Sequence, residues 1–179
     1  MAQGMIVAWA WGALMSWKEA AGVARRLHLA AGPQDLQRLA VQFGLEHLKG
    51  LEADLEIAPW LDGVQITGAV RGLAVRECGV SLEPFDELVE EPVRVRVVPE
   101  GSPNADRGAG EVIIDLDAED PPDEAAAAID VTGYVVEAFA LGLSPFPRKP
   151  GVEFHAPETP ASTSPFAALA GLTYRKPNS

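Results

Sequence analysis

Apolar and polar residues alternate most clearly from Leu51 to Ile57. Leu51, Ala53, Leu55 and Ile57 fall on one face there and Glu52, Asp54 and Glu56 on the other, the period of a half-buried strand. Asp62-Gly63 follows as a two-residue hairpin signal, and Val64 and Ile66 resume the alternation. The apolar phase then passes from even positions to odd ones at Leu73 and Val75, with Gly68 and Gly72 between, so a glycine-marked bulge is predicted. Pro92 is expected to open a further strand, with Val93, Val95 and Val97 on one face and Arg94 and Arg96 on the other. Glu111 to Asp117 reads as another strand, and so does Val23 to Ala30, where Arg25 interrupts the apolar row. Between these stretches the period changes. Gly32-Pro33 followed by Leu36, Leu39, Ala40 and Phe43 predicts a helix over 33–43 that stops at Gly44. Val131, Val135, Ala138 and Phe139 predict a second from about Ile129 to Leu143. The elements add up to a single α+β domain, an antiparallel sheet or open barrel with two main helices.

Length and composition narrow the class. A chain of 179 residues fits one domain and buries roughly 70% of the unfolded surface. One cysteine rules out an internal disulfide framework and suits a reducing compartment. The stretch from Met5 to Met15 is apolar but only 11 residues long, short of the roughly 20 a spanning helix needs, and no cation precedes it as in a secretory signal. It reads as an edge strand, a loose segment, or a start placed upstream of a true beginning at Met15. The expectation is a cytoplasmic protein. The net charge of −12 is uneven: residues 61–130 hold 5 basic and 17 acidic side chains, and both flanks are near neutral. Such a middle repels phosphates, which argues against generic nucleic-acid binding.

Candidate chemistry is sparse. Cys78 has no second cysteine, and His28, His47 and His155 lie on three separate segments, without the spacing of a zinc site. The run Asp115, Asp117, Glu119, Asp120 resembles a calcium loop but has Asp120 where glycine belongs and Ala126 where the closing glutamate belongs. No nucleophile elbow or phosphate loop is present, and Cys78 in an alternating apolar segment reads as buried rather than reactive. Glu90 and Glu91 are adjacent, which on a strand sends them to opposite faces. The reading is therefore not an enzyme, with no cofactor and no metal. Two segments stand out instead. ECGVSLEPF (Glu77–Phe85) lies between two strands, and SPFPRKPG (Ser144–Gly151) follows a helix, its prolines favouring an extended backbone that is either a rigid crossover covering the sheet or a preformed docking edge presenting Phe146, Arg148 and Lys149.

These two segments resemble those of the YceD-like family, the large ribosomal RNA subunit accumulation proteins. The family's C-V-V-T-L-E-P-F pattern corresponds to Cys78-Gly79-Val80-Ser81-Leu82-Glu83-Pro84-Phe85. Its I-D-L-G helix start, E-x-L-x-L stretch and P-Y-P-R-K-P-G close correspond to Ile129-Asp130-Val131-Thr132, Glu137–Leu141 and Pro145–Gly151. The likeness covers about residues 16–155, leaving 1–15 as an N-terminal extension and 156–179 as a Pro/Ser/Thr-rich tail. Some family branches carry extra cysteines that suit a metal; this chain has none, so zinc is not implied. The resemblance implies ribosome assembly without catalysis, acting on the assembling large subunit. Charge adds the expectation that the acidic middle engages a basic ribosomal protein, and any weak ribosomal RNA contact falls to Arg148, Lys149, Arg175 and Lys176. The candidate partner-binding residues are Glu83, Pro84, Phe85, Phe146, Arg148 and Lys149. Direct ribosomal RNA binding and an unrecognised enzyme or small-ligand domain are the alternatives.

Overall fold

A computed structural model describes residues 6–20, 22–105 and 120–155. The strands are β1 (Ile6–Ala8), β2 (Met15–Ser16), β3 (Arg25–Ala30), β4 (His47–Trp60), β5 (Gly63–Glu77), β6 (Pro84–Pro99), β7 (Asp123–Ala125) and β8 (Ala128–Ile129). The helices are α1 (Trp17–Ala20), α2 (Pro33–Gln42) and α3 (Val131–Gly142). Six strands form one sheet in the order β1-β3-β4-β5-β6-β7; β2 and β8 pair separately. The four central strands are antiparallel, and the three-residue edge strands β1 and β7 run parallel to their neighbours. The fold is a single α+β domain.

Both longer helices cover one face of the sheet. Leu51, Ala53, Leu55 and Ile57 of β4 are buried as the alternation predicts, with Val64, Ile66, Val70 and Ala74 of β5 and Val89, Val93 and Val97 of β6. The α2 and α3 faces of this core meet where Phe43 packs edge-on against Phe139, ring centroids 6.0 Å apart. The other face is polar and held by directly opposed pairs, Arg26 with Glu56, His28 with Asp54 and Arg71 with Glu90, the cross-strand contacts that stabilise a solvated sheet face. α2 begins at Pro33 and stops before Gly44, whose φ of 62° only glycine adopts readily. Asp130 caps α3 by accepting from the Gly133 N–H.

Several expectations are corrected. The hairpin turn is Leu61-Asp62, with Gly63 already paired to Trp60. Glycine is needed at 63 because an added Cβ would run into the Val97 carbonyl of β6. β5 carries no bulge at Gly68–Gly72, since its register with β6 is continuous from Val64 to Glu77. Val64, Ile66, Val70, Gly72 and Ala74 stay inward and Leu73 lies on the outer face opposite Leu88, while Val75 is buried as well. The register shift falls instead in β4, between Leu48 and Gly50. Pro92 does not open a strand. It lies inside the 16-residue β6, opposite Ala69, where β7 does not reach the outer edge and a missing N–H is tolerated. β3 starts at Arg25 rather than Val23.

Residues 6–15 pack against the sheet and core. β1 is the edge-strand reading, pairing with β3, and Trp9 and Trp11 pack against the core. Met15 is fully buried, and the Gly12 N–H donates to the buried Thr132 hydroxyl at 3.0 Å. Ser16 and Glu19 then form a reciprocal cap on the one-turn α1, each accepting from the other's backbone N–H. The strand expected at Glu111–Asp117 and the tail 156–179 lie outside the described residues.

Candidate functional site

The two singled-out segments meet at one end of the sheet. Residues 78–83 make the turn between β5 and β6, closed by the Cys78 N–H to the Glu83 carbonyl and the Leu82 N–H to the Cys78 carbonyl, both 2.9 Å. Leu82 adopts a positive φ of 58°, in the region L-residues enter at an energetic cost. The irregular chain after α3 then passes beside this turn. The Gly79 N–H donates to the Pro147 carbonyl at 2.9 Å, and Lys149 Nζ donates to Glu83 Oε2 at 2.8 Å.

Cys78 is the buried centre of the junction. Its Sγ accepts from the N–H groups of Ser81 and Lys149, each at 3.4 Å. Contacts from Ser81, then from the Lys149 N–H, hold the thiol at about 6, well below its ordinary value, against the opposing effect of burial. The Glu83 carboxyl is lowered and the Lys149 ammonium raised, each by its bond to the other. Beneath the junction lies a second tie. Arg76 Nη1 reaches Glu87 Oε2 at 3.1 Å and the Ser144 carbonyl at 2.9 Å, while Glu87 Oε1 accepts from the Ser144 N–H at 3.2 Å. Arg76 and Glu87 are largely buried, so this tie fixes where the chain leaves α3.

The candidate residues therefore separate by role. Glu83 and Lys149 are joined directly; Phe85 is half-buried in β6 opposite Arg76, and Pro84 opens that strand in solvent. Phe146 is 80% exposed and Leu82 68% exposed. Arg148 is exposed beside them in sequence. The junction thus presents apolar and cationic side chains from a backbone tied at several points. Arg76 and Glu87 escaped the sequence reading because each alone looks like an ordinary surface residue. Charge patterning supplied only one weak signal, an acid in one segment and cations in the other.

The acidic middle is less uniform than its count suggests. Along β6 and its leading turn, Glu83, Asp86, Glu87 and Glu90 are ion-paired with Lys149, Lys49, Arg76 and Arg71. Asp62 accepts from the Ser102 hydroxyl and the Asn104 amide, which lower its carboxyl. Glu91, Asp120, Asp123 and Glu137 instead gather around a groove between β6 and α3. No helix among the described residues is long and apolar enough to cross a membrane. No family model, curated protein or solved structure matches the chain.

Proposed function

We propose that this chain is a non-enzymatic ribosome-assembly factor that supports accumulation of large-subunit ribosomal RNA. It acts by docking onto a basic protein partner of the assembling large subunit through an acidic surface. The supporting observation is the junction itself. The two segments that carry the YceD-like resemblance lie 66 residues apart at Glu83 and Lys149, yet they form one hydrogen-bonded unit with Phe146 and Leu82 turned to solvent. A tied backbone presenting the exposed Phe146 and Leu82 suits an apolar contact beside that surface, because little ordering entropy is lost on binding.

Replacing Phe146 and Arg148 together by Ala tests this reading, since both side chains are exposed and the Glu83–Lys149 contact is kept. The variant is expected to fold normally by circular dichroism. In cells relying on it, gradient sedimentation should show a reduced large-subunit peak and accumulated precursors. Normal ribosome profiles with that variant would reduce the junction to scaffolding. Tight binding of the purified chain to naked large-subunit RNA at physiological salt would assign the contact to RNA instead.

A further inference from the structure

A groove of about 490 Å³ lies between α2 and the start of β4. Pro33, Leu36 and Val41 line it from the helix, and Leu45 and Leu48 line it from the chain that follows. Val41 is 79% exposed, whereas Leu45 and Leu48 are buried. Glu46 and His47 stand exposed on its rim. This groove and the exit from α3 share one end of the sheet. The Glu46 N–H donates to the Val75 carbonyl at 3.1 Å, and His47 pairs with Val75 in β5. Val75 stands three residues before Cys78, roughly 10 Å along the strand, and the turn beyond holds the Pro147 carbonyl on the Gly79 N–H. The chain thus passes this end at Pro147 and continues past His155 with residues 156–179.

The composition of that tail changes at one point. Residues 156–164 are Pro, Ser, Thr, Ala and a single Glu, and residues 165–172 read PFAALAGL. Phe166, Leu169 and Leu172 recur every third residue, which at helical spacing brings them to one side. Ser164-Pro165 ahead of them is the start signal of a short helix, a capping hydroxyl followed by proline. We propose that residues 165–172 are the occupant of the α2 groove, so that the C-terminal tail clasps the domain's own surface. An amphipathic segment laid in an apolar groove is a recurrent mode of recognition. Reach is sufficient, since the ten residues 156–165 span up to about 33 Å when extended. A tether of that length holds the segment at an effective concentration of about millimolar, which a free partner rarely matches. Charge agrees, because Arg175 and Lys176 follow the segment and Glu46 on the rim has the opposite sign. The clasp is independent of the partner proposed for the junction.

Nuclear magnetic resonance of the full chain tests it. The Phe166 ring should show Overhauser contacts to methyl groups of Val41, Leu45 or Leu48. Phe166→Ser with Leu169→Ser should abolish those contacts and shift the amide signals of Leu36 to Leu48, leaving those of Leu141 and Phe146 in place. The reverse change is Val41→Lys, at an exposed position in the last turn of α2 where a cation is tolerated. It should move the amide signals of residues 166–172 to the positions they take in a free peptide of the same sequence. Contacts that persist unchanged on tenfold dilution place the segment in the groove of its own chain. Groove amides that ignore F166S/L169S, or tail amides that ignore V41K, would overturn the proposal. So would contacts seen only between differently labelled copies in a mixed sample, because a second copy would then be the occupant.

Discussion

Gly72 and Phe139 show how closely single positions are matched. Gly72 faces inward on β5, and the Phe139 ring of α3 occupies the space its side chain would take. Gly72→Ala is expected to destabilise the chain by about 1–3 kcal/mol through overpacking, read as a lower urea midpoint. Gly50→Ala, where nothing lies within 4 Å of the added carbon, should change little. Cys78 gives a pH signature. Its thiol is held at about 6 in the fold, below the unfolded value. The linked stability is therefore fully present only above the unfolded value, and it is lost as pH falls toward 6. The urea midpoint should rise from pH 6 to pH 9 in wild type, and Cys78→Ala should flatten that rise. An unchanged profile in the variant would show that the thiol stays protonated.

At the scale of elements, the N-terminal segment makes the sharpest prediction. Removing residues 1–14 deletes β1, uncovers the core beside Trp9 and Trp11, and leaves the buried Thr132 hydroxyl without its Gly12 contact. Partial loss of two large aromatics and of one buried hydrogen bond together lowers stability by about 2–5 kcal/mol. Thermal unfolding of the shortened chain checks this. Elements governed by local rules were legible in the sequence. Proline at the start, glycine at the stop and four apolar residues at helical spacing define α2, and strict alternation defines β4. The misread elements are those where a neighbour decides. Pro92 looks like a strand opening, but the absence of β7 beside it lets β6 run through. Leu73 looks like a change of phase, but it pairs with Leu88 on the outer face while Val70, Gly72 and Ala74 keep facing the core.

For the whole molecule, the candidate site was half visible. Both segments stood out by composition, but no local signal shows that the turn after β5 and the proline-rich exit from α3 lie together, since β6 and α3 place them. The acidic groove between β6 and α3 has no sequence signature, because its carboxylates come from a strand, a loop and a helix. The described carboxylates of the middle region also divide in a way a count cannot show, into those paired along β6 and those left around that groove. The two edges of the sheet carry a kinetic consequence. β3 to β6 include long hairpins whose partners are close along the chain, whereas β1 and β7 are parallel triplets reached only by wide crossovers. Closing a wide loop for three residues of pairing returns little for the chain entropy lost. The middle strands should therefore zip first and the outer pair settle last. At equilibrium the molecule behaves as a stiff ribbon with two latches, each able to lift without melting what lies between.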